Sequence, residues 1–447
     1  MTHSSTLLAY AGRNTPRYTS YPTAPHFHEG VNAEVYASWL RKQDLDTPAS
    51  LYLHIPYCRE MCWYCGCSTR ATRRNEPIAA YVKTLLTEID LVADLLPRPP
   101  RVTHIHFGGG TPTILNEDQF AAVMARLRER FSVPETAEMA IEIDPRLFTR
   151  SLAEHLSAGG INRASIGVQT LDPGVQAKIN RIQPLSVVAN TVDHLRAAGI
   201  ANISFDLLYG LPGQTRDSCL ETLEAALSLA PDRLSVFGYA HVPHMKRHQK
   251  LIATGDLPGP EERVSQAMAI AAAAQDNGYR PIGIDHYVRA SDEMAALARH
   301  GKVRRNFQGY TTDQAGFLFG LGASAISKLE AGYAQNTPDV KAWTKAVEAG
   351  IPATARGIEL TREDRLRGEI IERLMCELEV DIDAVAARFS APFELPDLTD
   401  LEADGIILRD GARITLANDC RMLARIVAAR FDARLPHSTA GRHSISI

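Results

Sequence analysis

Residues 51–67 read LYLHIPYCREMCWYCGC, and the reading of this stretch decides the fold. LYLHIP reads as a strand that a proline ends. Four of the chain's seven cysteines follow within ten residues, at Cys58, Cys62, Cys65 and Cys67, with Trp63 and Tyr64 between them. A strand that runs straight into a thiol-rich loop predicts a site at its carboxyl end, where parallel α/β folds place their chemistry.

The same alternation continues downstream. A helix is predicted around 77–95. RVTHIHFGGG (101–110), EMAIEID (138–144), NRASIGVQ (162–169), ISFDLLYG (203–210) and RLSVFGYA (233–240) read as further strands. Helices are predicted between them at 117–131, 151–159, 186–199 and 216–229. Six β-then-α units predict parallel strands joined by right-handed crossovers. They suffice for a partial (β/α)6 barrel in the α/β class, although a flat doubly wound sheet shares the pattern. Strands this short and rich in Ile, Val, Leu and Phe are expected to be covered on both faces. The unusual residues fall at strand ends: the cysteines, the glycines after HIHF, Glu142, Asp144, Gln169, Asp206, Tyr239 and His241.

Around this core, residues 1–50 read as an N-terminal arm, with RYTSYPTAPHF and a short helix in VNAEVYASWLRK. Residues 51–350 form the catalytic barrel with its extension. Residues 351–447 are expected to be a small, mostly helical C-terminal domain, opening on the amphipathic ELTREDRLRGEIIERLMCEL and containing a hairpin in LEADGIILRDGARITLA.

The 447 residues are 45% hydrophobic and 22% charged, with a formal net charge of −4. That balance supports a large core and excludes a basic nucleic-acid or membrane-surface binder. No apolar run reaches the roughly 18 residues of a membrane span, and the N-terminus lacks a secretory pattern. A cytoplasmic protein with reduced thiols is expected. Cys219, Cys376 and Cys420 are scattered and read as small core residues.

The clustered cysteines need another account. Cys58, Cys62 and Cys65 have the spacing C-x3-C-x2-C, and Cys67 extends it. A zinc site would use paired C-x2-C halves, and only Cys62 and Cys65 make one. A redox C-x-x-C explains two thiols of the four. Dense thiolates on one loop suit an iron–sulfur cluster.

C-x3-C-x2-C directly after a first barrel strand resembles the radical S-adenosylmethionine (SAM) superfamily. RYTSYPTAPHF, LYLHIPYC with the CGC ending, HFGGGTPT, EIDPR, SIGVQ, NRIQP, FDLLYGLPGQT, YAHVP, GIDHY, NFQGYTT, SAIS and RHSISI are together similar to the oxygen-independent coproporphyrinogen III oxidases. The resemblance spans residue 16 to the end.

It implies that Cys58, Cys62 and Cys65 hold a 4Fe–4S cluster with one iron left open to SAM. Cys67 matches a fourth, non-ligating cysteine needed for activity. Two SAM molecules are implied: one held by residues matching Tyr52, Gly109, Glu142 and Ile326, the second by Tyr64, Gly110, Thr111, Gln169, Arg181, Asp206 and Ala240. These are reasonable chemical choices: glycines admit close approach, carboxylates accept from hydroxyl or ammonium groups, and arginine can pair with a carboxylate. The implied reaction is oxidative decarboxylation of two propionates of coproporphyrinogen III to vinyl groups, with a flavodoxin or ferredoxin as electron donor and the protein acting as a monomer. A haem chaperone-like paralogue and a radical SAM methyltransferase are the alternatives. Chaperone-like paralogues typically lack the arm and the fourth cysteine that this chain has. His241, His244 and His248 are expected in a solvated basic loop, and Arg17 and Tyr18 either meet substrate carboxylates or pin the arm. Tyr64 stands where family members usually show Phe, and Thr170-Leu171 where they show Asp-Phe.

Overall fold

The computed structural model describes residues 3–435 and 447. Six strands succeed one another as the alternation requires: β1 (Ala49–Ile55), β2 (Val102–Gly109), β3 (Glu138–Ile143), β4 (Arg163–Gln169), β5 (Asn202–Tyr209) and β6 (Arg233–Gly238). All pair in parallel, in chain order. Helices Glu76–Leu95, Glu117–Arg130, Arg150–Ala158, Leu185–Ala197 and Arg216–Ser228 form the crossovers. Short polar side chains fix several starts: Asn116 and Thr215 close reciprocal capping boxes, and Thr149 accepts from Leu152 N.

The strands are not covered on both faces. Along β4, Ala164, Ile166 and Val168 enter the core, whereas Arg163, Ser165, Gly167 and Gln169 line a cavity. In β5, Phe205 and Leu207 point outward, and Ser204, Asp206 and Leu208 point inward. The period-two alternation corrects the sequence expectation: the inner faces are polar because they enclose a solvent-filled space. The sheet also curls. Gln249, beyond β6, donates to the Tyr64 carbonyl after β1 at 2.9 Å. Flat strands would stand about 24 Å apart across five spacings. The core is therefore the partial barrel, open between β1 and β6.

Strands that the sequence left unresolved extend both edges. β7 (Tyr279–Ile282) and β8 (His286–Arg289) continue antiparallel beyond β6. On the other side β9 (Phe317–Leu321) lies parallel to β1, followed by antiparallel β10 (Ile326–Lys328), β11 (Gly332–Asn336) and β12 (Thr354–Glu359). The twelve-stranded sheet thus runs past residue 351, where the C-terminal domain was expected to begin. Helix Arg362–Cys376 follows, with a three-stranded sheet that contains the anticipated hairpin, Ile407–Asp410 with Arg413–Leu416.

The carboxylate of Glu88 ties one edge together. It accepts from Gly322 N (2.6 Å), Asn336 Nδ2 (2.7 Å) and Trp343 Nε1 (3.0 Å), joining helix Glu76–Leu95, β11, helix Val340–Glu348 and the end of β9. The arm is pinned by the C-terminal unit: Tyr18 donates to Asp432 (3.1 Å), Ala433 N to the Tyr21 hydroxyl (3.1 Å), and Arg425 Nε to the Pro16 carbonyl (3.0 Å). An unanticipated helix, His3–Ala11, buries Leu7 and Tyr10. Of RHSISI only Ile447 lies among the described residues; its carbonyl accepts from Arg263 Nε at 3.1 Å. Cys219, Cys376 and Cys420 are buried, as expected of core residues.

Candidate active site

A cavity of about 700 Å3 opens at the carboxyl ends of the barrel strands, and Cys58, Cys62, Cys65 and Cys67 lie on its wall. Their loop is anchored at its flanks. Arg70 N donates to Pro56 O (2.7 Å) and Thr72 N to Cys58 O (2.8 Å). Trp63 N reaches Ile179 O (2.9 Å), and Asn180 Nδ2 reaches Met61 O (2.9 Å). The segment after β6 closes over the other side. Fully buried Gln249 bonds Tyr64 O and Ala240 O, His248 donates to Cys65 O (2.7 Å), and Lys246 Nζ donates to Cys67 O (2.8 Å). The basic loop expected to be merely solvated is therefore a clamp on the cysteine loop.

Each of three thiols meets a donor. Thr111 Oγ1 donates to Cys58 Sγ at 3.3 Å. Arg181 Nη1 and Arg146 Nη2 approach Cys62 Sγ at 3.4 and 3.6 Å. The Cys67 amide points at Cys65 Sγ at 3.4 Å. The Cys65 thiol is lowered to about 6, first by a hydrogen bond from Cys67 that outweighs burial, then by the Cys67 amide, His248 and Lys246. Burial instead raises Cys58, against Thr111 and Thr69. Among the described residues no three His, Cys, Asp or Glu side chains converge as around a single ion. Three thiols on one wall, each with a donor aimed at sulfur, suit an iron–sulfur cluster.

Asp144 organises the cations behind Cys62. It receives Arg146 Nε (2.9 Å) and Nη2 (2.6 Å) and Arg181 Nη1 (3.4 Å). Burial raises its pKa, but Arg146 and Arg181 prevail and hold it below the ordinary value. Arg181 Nη2 also donates to Gly167 O (2.7 Å), while its Nε is buried without a partner.

The glycine run is dictated by protein neighbours. Gly109 has φ +116°, and a Cβ there would lie 2.7 Å from the His54 ring; one at Gly110 would lie 2.7 Å from Tyr57 O. Glu142 braces the run, accepting from Gly109 N (3.1 Å) and meeting His106 Nε2 (3.2 Å). Asp206 accepts from Ser165 Oγ (3.1 Å); burial, then Glu142, pushes it up to about 6. Gln169 ends β4 with φ +67°, a strained conformation for a residue with a side chain.

The cavity brings together Cys58, Cys62, Cys65, Cys67, Tyr64, Gly109, Gly110, Thr111, Glu142, Gln169, Arg181, Asp206 and Ala240. Tyr52 and Ile326 do not line it. Tyr52 stands behind the wall, its hydroxyl 3.1 Å from His54 Nδ1 and its ring stacked on His106. Ile326 lies in β10 and packs on the Phe27, Tyr333 and Ile358 cluster. Thr170 turns away from the cavity: Leu171 N donates to Thr222 Oγ1 (3.1 Å), which lies 3.5 Å from Thr170 Oγ1. The sequence reading did not assign His54, Arg146, Gln249 or the clamping role of His248, and it noted Asp144 only as a strand-end acid. Arg146 within EIDPR was the available signal; buried Gln249 had none.

The chain matches the radical SAM superfamily over residues 52–226 and the HemN C-terminal domain over residues 360–418. It is 52% identical over 433 residues to the oxygen-independent coproporphyrinogen III oxidase of Bradyrhizobium diazoefficiens, covering 96% of each chain. It is 38% identical to that of Escherichia coli, over 94% of this chain and 93% of the relative. The solved coproporphyrinogen III oxidase (HemN) from Escherichia coli, described as a radical SAM enzyme, superposes with a TM-score of 0.89 and 38% identity, covering 94% of this chain and 98% of that one. With such identity over nearly the full length of both chains, this chain belongs to the oxygen-independent coproporphyrinogen III oxidases of the radical SAM superfamily.

Proposed function

We propose that this chain converts coproporphyrinogen III to protoporphyrinogen IX without oxygen, as a step of haem biosynthesis. Two propionates each give a β-hydrogen atom to the radical, release carbon dioxide and pass one further electron to an external electron acceptor, and become vinyl groups. The observation that carries this reading is the clamped three-cysteine loop on the wall of a cavity that gathers strand-end groups from the barrel.

Cys58, Cys62 and Cys65 would hold the 4Fe–4S cluster. When bound, the cluster and SAM supply a 5′-deoxyadenosyl radical. The chain's own residues position and shield. Arg146 and Arg181 place positive charge on Cys62 Sγ, and Asp144 fixes both guanidinium groups. Glu142, Gln169 and Asp206 offer acceptors to ribose or ammonium groups of SAM, with two SAM molecules in the cavity. Gly109, Gly110, Thr111, Tyr64 and Ala240 shape their bed, Thr111 while also donating to Cys58. Tyr52 acts through His54, whose Nε2 donates to Ser68 O at 2.8 Å and so sets the backbone beside Cys67. A flavodoxin or ferredoxin donor, a monomeric state and a cytoplasmic setting complete the reading; no described helix is long and apolar enough to cross a membrane. We divide the chain into the arm, the barrel with its sheet extensions, and a C-terminal unit starting near residue 360.

The test is anaerobic. Protein reconstituted with iron and sulfide is given SAM, a reductant and coproporphyrinogen III, and is expected to form protoporphyrinogen together with 5′-deoxyadenosine. Stable haem binding with no turnover would instead support the chaperone-like alternative and overturn the enzyme reading.

A further inference from the structure

Beyond β6 lies a second chamber of about 360 Å3, bordering the first at Cys67, Gly238–Ala240 and Gln308. Four arginines from four parts of the chain reach it: Arg17 of the arm, Arg263 of helix Pro260–Asp276, Arg305 before β9, and Arg425 of the C-terminal unit. One acid, Asp285, faces them, and it is bonded to His286 Nδ1 at 2.7 Å.

The hydrogen bonds of Arg17, Arg263 and Arg305 run to backbone oxygens. Arg17 Nη2 donates to Gly238 O (3.4 Å), Arg263 to Ile447 O (3.1 Å) and Gly210 O (3.5 Å), and Arg305 Nη2 to Arg17 O (3.3 Å). Arg305 Nε and Nη1 are buried without any hydrogen-bond partner, and its guanidinium lies 4.4 Å over the Tyr310 ring. Among the described residues, Arg17 and Arg305 have no Asp or Glu carboxylate within ion-pair distance. Burial and then mutual repulsion push Arg425 down to about 9. Arg263 and Arg425 are buried, Arg305 is half-buried and Arg17 faces solvent; like charges gathered at such a wall are best tolerated where an anion completes them. Gly238 keeps the border open, since a Cβ there would lie 3.0 Å from Arg263 Nη2.

We propose that this chamber is a carboxylate subsite: Arg17, Arg263, Arg305 and Arg425 hold the propionates that the substrate keeps, while a reacting propionate enters the first cavity past Gly238 and Cys67. This rests on the substrate reading above. Of the four propionates of coproporphyrinogen III, two survive into the product, so the chamber serves substrate and product alike. Planar guanidinium forks suit such groups.

The test uses cluster-loaded protein and the quenching of porphyrin fluorescence, with protoporphyrin IX and its dimethyl ester as probes. Both probes have the same ring, and only the first carries free retained carboxylates. Wild type is expected to bind the acid at least about tenfold more tightly than the ester. Arg305→Gln and Arg17→Gln are each expected to weaken the acid by about tenfold and the ester by less than about twofold. Equal binding of acid and ester by wild type, a comparison that needs no variant, overturns the subsite. So does an equal loss for both probes in both variants. Turnover of coproporphyrinogen III by wild type is scored separately: turnover without acid preference sinks the subsite alone, whereas acid preference without turnover sinks the enzyme reading alone.

Discussion

The two cavities meet at Cys67 and Gly238–Ala240, yet they treat arginine in opposite ways. In the larger one the arginines of the barrel strands and those behind Cys62 are answered from within the chain, and Arg17 stands on the border of both. Arg146 and Arg181 share Asp144, Arg163 bonds Glu138, and Arg233 makes a two-pronged contact with Asp292 at 2.8 Å. Those walls are electrostatically finished, which leaves Glu142 and Asp206 to meet an incoming ligand. In the smaller one Arg17, Arg263 and Arg305 bond backbone oxygens, and among the described residues Asp285 is the one acidic side chain on the wall. A finished wall organises chemistry; an unfinished one waits for the charge that its ligand carries.

The sharpest way to break the first half of this comparison is at the sulfur the arginines face. Cys62→Ala is expected to abolish cluster absorbance and both products, 5′-deoxyadenosine included; unchanged 5′-deoxyadenosine formation would refute the ligand assignment. Cys67→Ala should keep the cluster, and complete loss of its absorbance would make Cys67 a ligand.

Asp144→Asn tests pairing itself. It leaves Arg181 beside Cys62 with no carboxylate and Arg146 with only the half-exposed Glu60 at 3.8 Å, and a broken buried pair costs about 3 kcal/mol. The cluster-free protein should melt lower, and kcat/KM should fall by at least about tenfold. Arg305→Gln removes a charge that no described acid bonds directly: Asp285 acts on it through space and the Tyr310 ring lies beneath it. Its melting temperature in cluster-free, ligand-free protein should hold or rise. Opposite signs in the two melts sharpen the comparison; a matching drop in both breaks it.

Asp206 gives the pH form of the same contrast. Burial and Glu142 hold its pKa at about 6, above the ordinary carboxylate range, so it is ionised at pH 7.5 and protonated by pH 5. As an acceptor for SAM it should bind several-fold more weakly at pH 5.5 than at 7.5. Asp206→Asn should bind weakly at both, with that slope flattened. A wild-type slope retained in the variant assigns the titration elsewhere.

The barrel core was legible because its units are local: a strand, a glycine or acid at its end, then a capped helix. The site was legible in so far as its residues sit at those ends, as Glu142 and Gln169 do, whereas Asp206 lies mid-strand in β5. Ile326 was placed by resemblance alone; it lies in β10, between β9 and β11, and packs against Phe27 and Tyr333. The flanking strands β7–β12 were unreadable because three to six residues without regular alternation acquire their state from the neighbour they pair with. Gln249 and the four-arginine chamber depend on contacts across hundreds of residues, which no window of sequence contains.

Glu88 is the mirror image of the unanswered arginines: a fully buried acid with no cation, met by the neutral donors Gly322 N, Asn336 Nδ2 and Trp343 Nε1. Those donors favour the carboxylate, but burial prevails and raises its pKa to about 7. The folded chain therefore holds this proton more tightly than the unfolded chain, whose ordinary value is 4.5. The contribution is complete below pH 4.5, declines as pH rises, and is gone above about 7. Glu88→Gln cannot titrate, and its amide N–H2 confronts one of the three donors. At pH 5 the variant should be less stable than wild type by about 1–2 kcal/mol. By pH 8 wild type has lost its proton advantage, so the gap should shrink by at least about 1 kcal/mol or reverse. Denaturant unfolding at the two pH values decides it. A gap that widens with pH would mean that the three donors overcome burial, and that a buried acid can be finished by dipoles as fully as Asp144 is by arginine.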